Sequence, residues 1–130
     1  KNVDYNVLDG IGVRGEYDLL ISNILTEQAG DPEVFVNQYW KTNVDGSNPQ
    51  NGSGYSNPEY DALSDQLASE FDPAKRRDII IKMEKIVQDD AATLIFGYPQ
   101  TNMVSNKSVQ NANIYPCDYY WVTKDITPAK

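Results

Sequence analysis

The chain has 130 residues, 40% of them hydrophobic, with 11 Lys and Arg against 19 Asp and Glu for a net charge of -8. That is one domain's length, enough to bury roughly 70% of the unfolded surface without a disulfide or metal staple. The acidic balance argues against nucleic acid or an anionic membrane as the main partner. There is no histidine, which removes Ser-His, Cys-His and His-metal constellations together. The one cysteine, Cys117, allows no intrachain disulfide and no CxxC site. A lone cysteine is more often a small buried hydrophobe than a nucleophile. No apolar run approaches the ~20 residues of a membrane span, and no signal peptide is evident. The first residue is Lys1 rather than Met, which reads as a piece of a longer protein.

In chain order, Val3, Tyr5 and Val7 alternate with Asp4 and Asn6, the period of a half-buried strand. Gly10, Gly12 and Gly15 break the next stretch into turns. Residues 17–25, YDLLISNIL, have the near-continuous apolar character of a central strand buried on both faces. A polar patch, Thr26-Glu27-Gln28, comes next. Asp31-Pro32-Glu33, Asn57-Pro58-Glu59 and Asp72-Pro73 then each set an Asx residue before proline. Asx is a strong N-cap and proline suits the first helical position, so each predicts a helix start. The first helix is expected to end near Trp40. The second carries Leu63, Leu67 and Phe71 four apart. The third carries a stripe of Ile79, Ile80, Met83, Ile86, Val87 and Ala91 opposite a charged face of Lys75, Arg76, Arg77, Lys82 and Lys85.

The stretch 41–56 is a loop by composition. At about 16 residues it is longer than most connections, and such loops are often functional. Leu94-Ile95-Phe96-Gly97-Tyr98 reads as a strand ended by Pro99, and 101–105 as another. From Asn106 the chain is polar and irregular, with aromatics at Tyr115, Tyr119, Tyr120 and Trp121. The order strand, strand, three helices, strand, strand predicts an α/β or α+β layer.

Several candidate sites compete with plainer readings. Asp45-Gly46-Ser47-Asn48 has the start of a calcium loop, but Ser47, Pro49 and Gln50 stand where ligands and the glycine belong. Asn51-Gly52-Ser53 and Asn106-Lys107-Ser108 match a glycosylation pattern too common to weigh. Asp89 and Asp90 are adjacent on a helix and face apart, so they cannot act as an acid/base pair. Tyr39, Trp40, Tyr55 and Tyr60 could stack on a ligand, but aromatics beside helices are more often core. Thr26, Glu27 and Gln28 lie between a strand's carboxyl end and a helix start, where ligands gather in open α/β sheets. No catalytic set and no resident cofactor or metal is readable.

Taken together, the segments GEYDLLIS (15–22), GDPEVF (30–35), GYSNPEYDALSDQ (54–66), DPAKRRDIIIKMEKIVQDDAATLIFGYP (72–99) and MVSNKSVQNANIYP (103–116) resemble the extracellular solute-binding proteins of ABC importers, the family 5 group that captures peptides, nickel complexes and opines. The matching stretch lies at the C-terminal end of members about four times longer. The resemblance implies an α/β, type II periplasmic-binding-protein-like lobe fragment, a mixed sheet flanked by about three helices. Residues 1–100 would form most of the second lobe and 101–130 a tail returning toward the first. It implies capture of a small-molecule ligand between two lobes without chemistry. The partners would be membrane permease subunits, the chain would be monomeric, and the location extracytoplasmic, periplasmic or anchored at the cell surface as a lipoprotein.

In the peptide-binding branch, an Asp four residues before the "DP" proline pairs with the peptide's amino group. Here that place is Gln28, with Glu27 beside it. Direct nickel ligation in the family uses a histidine, so nickel would arrive as a chelate or be held by the other lobe. The tail pattern is somewhat closer to the nickel branch. Two other classes stay open: a carbohydrate- or surface-binding module using exposed aromatics, and a hydrolase subunit working through carboxylates alone.

Overall fold

The structure is a computed structural model that describes residues 3–23, 30–98, 100, 102–115 and 122–129. Thr26, Glu27, Gln28, Cys117, Tyr119, Tyr120 and Trp121 lie outside the described residues. Among the described residues there are four helices, α1 (Tyr5–Arg14), α2 (Pro32–Trp40), α3 (Pro58–Ser69) and α4 (Pro73–Asp89), and a two-stranded sheet of β1 (Val109–Gln110) and β2 (Thr127–Pro128). The chain divides into two compact units, Lys1–Leu94 and Ile95–Lys130.

The three Asx-Pro helices form where the sequence places them. Asp31 accepts from the Glu33 N–H at 2.8 Å. Asn57 accepts from Glu59 and Tyr60 at 2.9 and 3.1 Å. Asp72 accepts from Ala74 and Lys75 at 2.9 and 3.0 Å. Each side chain thus answers backbone donors that a first helical turn leaves unpaired. The helices α2, α3 and α4 pack against one another, with α3 and α4 the most extensive pair. Their shared core is Val36 and Trp40 from α2, Tyr60 and Leu67 from α3, and Ile79, Ile80, Met83 and Val87 from α4. The α4 stripe is therefore the core face, except that Ile86 is half-buried and Ala91 lies past the helix at φ 51°. Phe71 leaves the expected row because α3 stops at Ser69, and it is 87% exposed.

The strand expected at residues 3–7 is instead the start of α1. Asp4 caps it, accepting from the Asn6 N–H at 3.0 Å, and the Leu8 N–H reaches the Asp4 carbonyl at 2.9 Å. A five-residue alternation is short enough for a helix to accommodate, and the cap decides. Gly10 and Gly12 lie inside this helix rather than in turns. Gly15 ends it at φ 64°, sending its N–H back to Gly12 and Ile11 carbonyls, the left-handed C-terminal conformation that glycine adopts without Cβ strain.

The buried strand expected from residue 17 is not formed over its described part, 17–23, where Leu19 is 79% exposed. The strand expected at 94–98 is likewise absent, with Phe96 75% exposed. Residues 102–105 are also not strand. In each case the apolar run is present but no described strand lies beside it, and a strand needs a neighbour to take its N–H and C=O groups. The expected mixed sheet is therefore not found among the described residues, and at the coarse level the chain is an α/β fragment.

The second unit holds its sheet in a stretch whose composition is polar and irregular. Asn106 makes a turn, accepting from the Ser108 N–H through its side chain and the Val109 N–H through its carbonyl. β1 then pairs antiparallel with β2, Val109 opposite Pro128 and Gln110 opposite Thr127. Asn111, at φ 60°, donates to the Asp125 carbonyl at 3.1 Å and closes the ribbon's end.

Candidate functional site

The sequence places the candidate site at Thr26, Glu27 and Gln28, and the structure describes the ground on which that segment ends. Gly30, at φ 71°, turns the chain into the Asp31 cap of α2. One terminal nitrogen of Arg76, Nη2, donates to Asp31 at 2.9 Å and to Glu33 at 2.7 Å. The other, Nη1, donates to the Leu67 and Glu70 carbonyls at 2.9 and 2.7 Å. A single guanidinium, its side chain 18% exposed, thereby joins the start of α2 to the end of α3 from its own place on α4. The sequence places Arg76 on the charged face of its helix. Its planar fork and two nitrogens draw it inward, where the last carbonyls of α3 need donors.

This arrangement changes the electrostatics expected beside the candidate segment. The Glu33 backbone N–H, then Arg76, holds the Asp31 carboxyl below its ordinary range. Glu33 and Asp31 in turn raise the Arg76 guanidinium above its ordinary value. The positive end of the α2 dipole is thus already answered by Asp31 and Glu33. Two carboxylates face one guanidinium, so this ion-paired cluster itself carries one net negative charge.

The second polar cluster is the loop between α2 and α3. Asn48 donates to the Asn37 and Lys41 carbonyls at 2.9 and 2.7 Å. Asn51, 3% exposed, donates to the Lys41 and Tyr55 carbonyls at 2.9 and 2.8 Å. Two asparagines thus finish the C-terminal end of α2 and hold the loop against it. An open groove beside them is lined by Val34, Asn37, Gln38, Lys41, Thr42, Ser47 and Asn48. Its main donors are already committed: Asn48 to the α2 end, and Lys41 to Asp65 at 2.7 Å. Thr42 is likewise bound to Asp61 through both its N–H and its hydroxyl.

The aromatic candidates belong to the core and its edge. Tyr60 is fully buried and donates to the Val36 carbonyl at 2.7 Å. Trp40 is buried, donates to Thr93 at 2.9 Å, and meets the Phe35 ring edge-on at 5.1 Å. Tyr55 packs edge-on to Tyr60 and donates to Asp90 at 2.6 Å. Burial pushes both tyrosine hydroxyls well up, with Asp90 adding to the effect at Tyr55. Tyr39 stacks at a tilt on Phe35, 5.3 Å away, and is half-buried. None of the four forms an exposed stacking platform.

Asp89 and Asp90 diverge, as adjacent helical positions must. Asp89 pairs with Lys85 at 2.9 Å. Asp90 accepts from Tyr55 and, at 2.8 Å, from Asn57, and those two bonds hold its carboxyl below the usual range. Asn57 therefore works in both directions, capping α3 with its oxygen and tying the end of α4 with its nitrogen. Sequence reasoning missed Arg76 and Asn51 as organising residues. The carboxylate partners of Arg76 lie 45 and 43 residues away, so no local spacing announces them; Asn51 bonds backbone carbonyls 10 and 4 residues away, which no residue type announces.

Comparison with curated proteins gives a relative. The chain is 32% identical over 110 residues to the probable D,D-dipeptide-binding periplasmic protein DdpA of Escherichia coli (strain K12). The match takes in 85% of this chain and 21% of that protein, so the chain spans about a fifth of the length of the curated relative it matches. No family model matches, and no solved structure matches. The likeness runs along nearly the whole chain and supports the solute-binding family. Among the described residues, no helix is long and apolar enough to cross a membrane.

Proposed function

We propose that this chain is a C-terminal portion of the solute-binding component of an ABC importer, taking up a peptide outside the cytoplasm and presenting it to membrane permease subunits. The observation that carries this is the 32% identity over 110 residues to a protein named as a dipeptide-binding periplasmic protein. The site region agrees with such a role. It offers charge and hydrogen bonds. On this reading the chain captures its ligand without chemistry, in keeping with a relative named as a binding protein.

On this reading residues 1–100 belong to the second of two lobes, 101–130 return toward the first, and the working protein is a monomer. Thr26, Glu27 and Gln28 contact the ligand. Gln28 stands where the family's peptide-binding branch places its Asp, so Glu27 supplies the charge for the ligand's amino group. The negative balance at Asp31, Glu33 and Arg76 supports a cationic end for the ligand. A dipeptide therefore fits better than a nickel chelate.

Calorimetry on the full-length protein tests this reading, using D,D- and L,L-dipeptides and a nickel chelate as probes. Saturable binding of a dipeptide with a free amino group, and weaker binding of its N-acetylated form, is expected. Binding of the chelate alone would overturn the peptide assignment. Binding of none of them would overturn the solute-binding assignment for these ligand classes.

A further inference from the structure

The loop between α2 and α3 contains the chain's single Asn-Gly dipeptide, Asn51-Gly52. In that sequence the backbone nitrogen attacks the preceding side-chain amide with the least hindrance, because glycine has no Cβ to shield it. The Gly52 nitrogen bonds to Asn51 Cγ, the Cγ–Nδ2 bond breaks, and ammonia leaves, giving a cyclic imide. Water then opens the ring to aspartate or isoaspartate. The reaction needs no oxidant and no cofactor.

The fold requires both members of this labile pair. Asn51 is 3% exposed and donates to two carbonyls, those of Lys41 and Tyr55. Its oxygen accepts from the Ser53 hydroxyl at 2.8 Å, which in turn accepts from the Tyr55 N–H. The amide is thus held at both ends and cannot turn toward the Gly52 nitrogen without giving up these bonds. Gly52 is held by a backbone contact: a Cβ there would collide with the Gly12 carbonyl oxygen and stand 2.7 Å from its carbon. No side chain could replace glycine without moving the end of α1.

We propose that Asn51-Gly52 is a deamidation site gated by folding. It is closed in the native loop and open when the loop opens, and its product cannot rebuild the loop. An aspartate at 51 would set a buried carboxylate against two carbonyl oxygens where an amide had donated. Those carbonyls would lose their donor, and the charge would keep only the Ser53 hydroxyl. The modification therefore marks chains that have unfolded and removes them from the folded pool.

The full chain is incubated in mildly alkaline buffer with and without urea, and conversion at Asn51 is followed by peptide mass mapping. Conversion is expected at least about tenfold faster in urea, since in native buffer the reaction waits on local opening. Equal rates would overturn the gating. Chains aged in urea are then diluted to refold, and the folded and unfolded fractions are mapped separately. The folded fraction should be depleted in converted chains, whereas equal conversion in both would overturn the claim that the product cannot rebuild the loop. Asn51→Asp provides a second readout: a melting midpoint equal to the parent's would contradict the proposal, and a lowered midpoint or failure to fold agrees with it.

Discussion

At the scale of single residues, the fold depends on a few side chains that finish helix ends. Asp72 is one of the three Asx caps, and its bonds to Ala74 and Lys75 are local. Asp72→Ala should lower stability by roughly 1 kcal/mol, the usual loss of a capping oxygen, and a denaturant titration reads it. An unchanged midpoint would mean the cap is not needed. Asp31 and Asp90 give the chain a pH dependence of known sign. Both carboxyls are held below their ordinary range in the folded state, Asp31 first by the Glu33 N–H and Asp90 first by Tyr55. Their contribution is present above the ordinary carboxylate pKa of about 3.9 and is lost as pH falls through their lowered values. Melting midpoints should therefore fall on acidification in that window. Asp31→Asn should flatten the decline, because the asparagine still caps but no longer titrates. An identical pH profile in the variant would contradict the assignment. The caps were legible in the sequence because a cap and its helix lie within three residues of each other. Arg76 was not, because its role arises from packing distant segments together, and Asn51 was not, because it serves backbone carbonyls that no residue type announces.

At the scale of elements, α2, α3 and α4 were readable and the strands were not. A helix completes its backbone bonds within itself, so the signals for α4 are all inside residues 72–89. The segments 17–23 and 94–98 have the composition of strands, yet composition does not supply the partner strand, and in the structure Leu19, Ile21, Leu94, Ile95 and Phe96 stand exposed while Leu20 is half-buried. α1 shows the opposite error: a five-residue alternation suggested a strand, while Asp4 and Gly15 were the cap and stop of a helix. The α3–α4 contact carries the core, and Leu67 is fully buried within it. Leu67→Ala should destabilise by about 2–5 kcal/mol, the range for deleting a buried leucine side chain and leaving a cavity. A denaturation midpoint within error of the parent would show that this packing does not support the unit.

At the scale of the whole molecule, the chain covers about a fifth of its dipeptide-binding relative, and the proposal is that ligand is held between two lobes. The candidate site was legible only as a polar segment placed before a helix, with Glu27 and Gln28 standing out through the family resemblance. The ion-paired cluster of Asp31, Glu33 and Arg76 at the start of α2 emerged from the fold. The isolated chain should fold yet bind dipeptides weakly, because it offers one side of the contact; sub-micromolar affinity in calorimetry on this chain alone would contradict a two-lobed site. The central claim is tested most directly by titrating the full-length protein, with and without Glu27→Gln, using one dipeptide with a free amino group and its N-acetylated counterpart. The substitution should weaken the free-amino dipeptide by about 1.5–3 kcal/mol, the range for a hydrogen bond to a charged group, and leave the acetylated one nearly unchanged. If Glu27→Gln leaves both affinities unchanged, and Gln28→Ala does the same, the segment does not contact the ligand and the proposed site is wrong.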